Sequence, residues 1–162
     1  MTLRPATSAD RTFVRLLTVA SFVRYGDYDA IMDGWLADPR TRTMIAEVAG
    51  AGVGFAMWAS QPRRPGEVVL VCVALVPEMR GQGLGRRLMQ ATHVAIAEER
   101  PGLSRRIALD VAEDNAAARA LFASAGYREA AGGEGSYPSG QRALRMVRKL
   151  RAAATAESTR TT

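Results

Sequence analysis

VPEMRGQGLGRRLM, residues 76–89, places Gly81, Gly83 and Gly85 between an apolar run and a helical pattern. Each glycine in or beside a helix costs about 0.5–1 kcal/mol relative to alanine, so a stretch with three of them brings its backbone close to something. Upstream, EVVLVCVALV (67–76) is a β-branched run of the kind that fills a central strand. Downstream, Leu84, Leu88, Ala91, Thr92, Ala95 and Ile96 fall on one face of a helix. Strand, glycine turn and helix start together make an anion site. The first-turn N–H groups lack partners and carry the positive end of the helix dipole. Arg80 and Arg86 flank the turn and offer charge-assisted hydrogen bonds.

Two phosphate motifs are excluded. A nucleoside triphosphate loop ends in G-K-[ST], and neither lysine nor hydroxyl follows Gly85. The dinucleotide fingerprint is G-x-G-x-x-G, whereas this stretch is G-x-G-x-G with an arginine directly before it.

The surrounding pattern alternates strands and helices. TLRPA (2–6) forms a first strand, with Ser8 or Asp10 capping the helix RTFVRLLTVASF (11–22). A second helix, DYDAIMDGWLAD (27–38), ends at Pro39. TMIAEVAGAGVGFAMWAS (43–60) divides into two strands at a turn over Gly50-Ala51-Gly52. The helix from Leu84 stops before Pro101-Gly102, and RIALDV (106–111) is the next strand. EDNAAARALFASAG (113–126) is a capped helix closed by Gly126. A short strand over 127–130, a loop GGEGSYPSG (132–140) and a strand RALRMVRKL (142–150) complete the domain. We expect one α/β domain of the α+β type over 1–150, followed by a flexible tail over 151–162. Its sheet is expected to be mixed, mostly antiparallel and six- to seven-stranded, with helices on both faces.

Composition narrows the function. Of 162 residues, 48% are hydrophobic and 23% charged, ordinary for a soluble globular chain. No run approaches the about 18 apolar residues of a membrane span. The N-terminus lacks an apolar signal core, so a cytoplasmic location is expected. The single cysteine, Cys72, excludes an internal disulfide, and with His93 as the sole histidine no metal is expected. The net charge of +6 comes almost wholly from arginine, Lys149 being the one lysine. Such a balance favours an anionic partner, although arginine excess also follows from genome composition. The arginines are scattered and no stacking aromatics interleave with them, so nucleic acid is not expected as a partner.

At these residues the chain resembles the GNAT superfamily of acyl-CoA-dependent N-acyltransferases. Val76 followed by Arg80-Gly81-Gln82-Gly83-Leu84-Gly85 is similar to that family's central motif. Asn115, Ala118, Leu121, Phe122 and Gly126-Tyr127 are similar to its second element, an asparagine opening a helix that ends in Gly-Tyr. The resemblance spans about residues 2–150 and implies central strands splayed for acyl-CoA. It implies a pyrophosphate on the N–H groups of residues 81–86 with Arg80 or Arg86 nearby. The pantetheine arm would pair with Ala74, Leu75 and Val76, with Asn115 near the thioester end and Phe122 beside it. A main-chain N–H near Val73 or Leu75 would stabilise the oxyanion. Acetyl-CoA is the cosubstrate so implied, and dimers are common in the family.

Transfer to an amine needs a base, because an amine with a pKa near 10.4 is mostly protonated at neutral pH. Glu67 is the candidate, at a strand position similar to the glutamate of histone-acetylating members, although an exposed strand-entry charge explains it equally. The departing thiolate also needs a proton. Phe122 stands where many members have a tyrosine, which leaves Tyr137 or Tyr127, or a water, as the candidate acid. Tyr127 is expected to pack under the sheet, Cys72 to be a buried small hydrophobe, and His93 a surface or packing residue. For the acceptor, Tyr28, Trp35 and Trp58 are candidates, beside Asp27, Asp29 and Asp33 that would suit a cationic amine or merely cap and solvate a helix. The expected function is N-acetyl transfer to the primary amine of a small molecule or peptide. The alternative is an acyl-CoA-binding module without catalysis.

Overall fold

The computed structural model describes residues 1–99, 105–131 and 135–150. Four helices, α1 (Arg11–Phe22), α2 (Tyr28–Ala37), α3 (Leu84–Glu98) and α4 (Ala116–Ser124), pack on an eight-stranded sheet. The strands are β1 (Thr2–Pro5), β2 (Thr41–Val48), β3 (Ala51–Ser60), β4 (Glu67–Leu75), β5 (Arg105–Ala112), β6 (Arg128–Glu129), β7 (Gly135–Ser136) and β8 (Arg142–Leu150). Their order is β1-β2-β3-β4-β5-β8-β6, with β7 also on the outer edge of β8. Every pairing is antiparallel except β4 with β5. The eighth strand is the two-residue β7, inside the stretch expected to be loop. The expected helix stop at Pro101-Gly102, part of the loop 132–140 and the tail 151–162 lie outside the described residues.

The β2–β3 turn is Ala49–Gly50, one position earlier than expected, with φ of 51° and 78°. Both residues at positive φ match the two-residue hairpin whose twist suits its strands. β3 alternates between faces. Phe55 and Met57, fully buried, meet Val14 and Leu17 of α1 and Met32 of α2, whereas Ala56 and Trp58 meet Leu88, Met89 and Ile96 of α3. Removing one such side chain from water contributes about 1.5–3 kcal/mol.

The feature that positions the site lies in β4. Its register against β3 slips between Met57 and Trp58, which face Cys72 and Leu70, so Val71 is an unmatched bulge. A bulge bends its strand and ends regular pairing. Accordingly β4 pairs with β5 only through Glu67–Arg106, Val68–Ile107 and Val69–Ala108. Beyond Val69 the two strands diverge, while β3 holds β4 as far as Leu75 and β8 holds β5 to Ala112. The result is a V open at its glycine-turn end.

Candidate active site

The glycine turn closes the open end of the V. Gly81 and Gly83 have φ of 73° and 76°, and an added Cβ at either would meet open space. Their backbone conformation, rather than crowding, is what excludes other residues. Gly85 differs: a Cβ there would lie 3.4 Å from both terminal methyls of Leu121, so it sets the approach of α3 to α4. The Arg87 N–H reaches the Gly83 carbonyl at 3.3 Å. The N–H groups before it form the free first turn of α3.

One cavity of about 530 Å³ runs along the divergence. Ala74, Leu75, Arg80, Gly81, Gly83, Gly85, Arg86, Asn115 and Phe122 all line it, so most of the expected donor set converges there. Val76, Gln82 and Leu84 do not line it. Val76 donates its N–H to Val53 at 2.9 Å, Gln82 donates to the Glu78 carbonyl at 2.7 Å, and Leu84 is buried in the α3 core. Arg80, which lines the cavity, is also tied into the fold. Its Nε donates to the Leu75 carbonyl at 3.0 Å and its Nη2 to Ser21 Oγ at 3.2 Å, tying the end of β4 to α1. Arg80 and Arg86 are both exposed on the cavity wall. Asn115 accepts the Ala118 N–H on Oδ1 at 3.1 Å and so caps α4.

At the other end three tyrosines meet. Tyr25 and Tyr137 have ring centroids 5.2 Å apart, and Tyr28 lies 5.5 Å from Phe22. All four line the cavity. The turn after β7 reaches over this end: Ser139 donates to the Tyr25 carbonyl, Gln141 Nε2 donates to that of Arg24 at 3.0 Å, and an added Cβ on Gly26 would meet Pro138 at 2.9 Å. The Tyr137 hydroxyl donates to the Asp110 carbonyl at 3.1 Å. Burial pushes the Tyr28 phenol up to about 12 and that of Tyr137 higher still, so both stay protonated.

Several sequence expectations fall elsewhere. Glu67 does not line the cavity. It sits in the paired segment, 7% exposed, among Arg145 at 3.2 Å, Arg64 at 3.5 Å and Arg106 at 3.5 Å. Trp58 lies on the α3 face of the sheet, with its indole N–H on Glu99 at 2.7 Å, and Trp35 stands behind Tyr28 at 6.0 Å. The acidic trio is engaged locally: Asp27 caps α2, Asp29 pairs with Arg15 and Asp33 with Arg11, each pair at 2.8 Å. Arg11 accordingly holds the Asp33 carboxyl below its usual range. His93 is buried, not at the surface, and touches Tyr127 and Arg148. Tyr127 and Cys72 are buried as expected, and burial pushes the Cys72 thiol up to about 12.

Sequence reasoning passed over Asp110, which lines the cavity on β5. Its only signal was position: a charged residue in the otherwise apolar stretch IALDV, 107–111.

The model of the acetyltransferase (GNAT) family matches residues 11–127. The curated L-2,4-diaminobutyric acid acetyltransferase of Nocardia farcinica is 33% identical over 97 residues, which are 60% of this chain and 49% of that protein. The chain thus spans about half the length of that relative. Ard1 of Thermoplasma volcanium superposes with a TM-score of 0.77 at 22% identity, over 92% of this chain and 97% of its own. The spermidine N-acetyltransferase of Vibrio cholerae, in complex with CoA and spermine, gives 0.71 at 19% identity, over 91% and 94%. These two likenesses are likenesses of fold. Among the described residues no cluster of metal-ligating side chains occurs, and no helix is long and apolar enough to cross a membrane.

Proposed function

The chain belongs to the GNAT family of acetyltransferases, and from that premise we propose that it moves an acetyl group from acetyl-CoA to a primary amine by direct attack in a ternary complex. The observation that carries this reading is the continuity of one cavity, from the glycine turn to the tyrosine cluster. A donor and an acceptor entering from opposite ends would meet where β4 leaves β5.

The residues fit the donor. Its pyrophosphate would rest on the first-turn N–H groups of α3, with Arg86 beside it. Its arm would run along β4 from Leu75 towards Val71, where β5 no longer occupies the strand edge. A main-chain N–H of that stretch would polarise the thioester carbonyl and receive the oxyanion. The amine would attack from the side of Tyr25, Tyr28 and Tyr137, whose rings suit a cationic or polar amine. The diaminobutyrate and spermidine relatives are consistent with such acceptors. Tyr137, which lines the cavity, or a water would return a proton to the leaving sulfur, since Phe122 stands in place of a tyrosine.

Acetyl-CoA should raise the melting temperature, and Gly83→Asp should abolish the shift, because it strains a left-handed position and sets a carboxylate against the phosphates. Free thiol should appear when primary amines are added. Binding without thiol release would instead establish an acyl-CoA-binding module, and absence of any shift at saturating acetyl-CoA overturns the reading.

A further inference from the structure

Resting on the acetyltransferase reading, we propose that Asp110 takes the proton from the acceptor's ammonium group, and that Arg145, anchored by Glu67, is the positioning residue that holds the Asp110 carboxylate at the cavity wall. Among the described residues Asp110 is the single carboxylate that lines the cavity. It lies two residues beyond Ala108, where β5 loses its β4 partner, and on the same strand face. That face is the one covered by α1 and α2, where the tyrosines gather. Its side chain is 45% exposed and the residue lines the cavity, which leaves the carboxylate open to solvent.

The support behind it is cross-strand. Arg145 stands directly opposite Asp110 in the β5–β8 register. One guanidinium nitrogen lies 3.2 Å from Asp110 Oδ2 and 3.4 Å from Oδ1, and the other lies 3.2 Å from Glu67 Oε1. Glu67 is thereby the buried anchor of a fork that ends on Asp110. With Arg64 and Arg106 also on its oxygens, its lone pairs are committed to guanidinium groups and turned away from the cavity. Among the described residues Asp110 has Arg145 alone on its carboxylate, with lone-pair directions left for an incoming N–H.

The proton account closes. The ammonium gives one proton to the Asp110 carboxylate, and the freed nitrogen lone pair forms the N–C bond at the thioester carbonyl. The C–S bond then breaks with its electron pair on sulfur. The second proton, from the tetrahedral nitrogen, leaves through water and ends on the sulfur as the CoA thiol. Asp110 returns its own proton to solvent at its exposed edge.

The test uses the full chain, with L-2,4-diaminobutyrate, spermidine and an alanine-led peptide as probe amines and thiol release as the assay. Asp110→Asn should keep the acetyl-CoA melting shift and the KM for acetyl-CoA, while kcat falls about 10²–10⁴-fold, the usual contribution of a positioned base. Asp110→Glu should recover part of that loss, and Asp110→Ser serves if the asparagine variant misfolds. Arg145→Gln should lower kcat with little change in either KM, and Arg145→Lys should restore it, which a purely structural role would not require. Glu67→Gln should lose less than Asp110→Asn. Wild-type kcat in Asp110→Asn overturns the proposal, as does loss of acetyl-CoA binding in that variant. If the unaltered protein shows no acetyl-CoA shift, or releases no thiol with any probe amine, the acetyltransferase reading itself falls.

Discussion

His93 is wedged between Tyr127, whose hydroxyl lies 3.0 Å from Nε2, and Arg148, whose Nη1 lies 2.9 Å from Nδ1. The arginine also donates to the Ala125 carbonyl just after α4. A guanidinium can only donate, so Nδ1 accepts and Nε2 carries the proton offered to Tyr127. Burial, followed by the charge of Arg148, lowers the imidazole pKa to about 4. The unfolded chain, near 6.5, binds the proton first as pH falls. The contribution of neutral His93 is therefore complete above about pH 6.5 and declines towards pH 4, by on the order of 3 kcal/mol. Urea unfolding at the two ends of that window should show the wild type losing more stability than His93→Gln. The triad was invisible in the sequence for a simple reason. His93, Tyr127 and Arg148 come from α3, the turn after α4 and β8, and no local pattern links them.

The glycine turn and the capped helix α4 were legible because helix starts are written locally, in residue types with one physical use. Asn115 illustrates this: its side-chain oxygen satisfies the Ala118 N–H. Asn115→Ala should cost about 1 kcal/mol of stability, measured by denaturant unfolding, and should weaken acetyl-CoA binding as α4 frays. The Val71 bulge was not legible. EVVLVCVALV is apolar on both faces, so a one-residue slip leaves its pattern unchanged. The same two-sided burial misplaced Trp58, since β3 gives no polar face from which to tell its sides apart. Glu67 was placed correctly at the start of β4, but its three arginines arrive from β5, β8 and the turn before β4. Only the tertiary pairing reveals that it faces them and not the cavity.

Across the molecule the charge excess is dispersed rather than gathered. Arg4 alone holds both Asp10 and Glu47, at 2.8 and 2.7 Å, joining β1 to β2 and to the start of α1. Arg24 and Asp114, at 2.6 Å, link the α1–α2 junction to the loop before α4. At the glycine-turn end, Arg80 and Arg86 line the cavity beside the start of α3 and offer the attraction for an anionic donor. The dissociation constant for acetyl-CoA, measured by titration calorimetry, should therefore rise with ionic strength as the screening length falls below about 8 Å. A binding constant unmoved by salt would remove Arg86 from that role.

The sheet also partitions the two tryptophans. Trp58 is sealed on the α3 side against Glu99, while Trp35 stands directly behind Tyr28 on the cavity side. The two tryptophans thus pack in different core clusters. In a Trp58→Phe variant the remaining emission reports on the tyrosine end of the cavity, without an extrinsic dye.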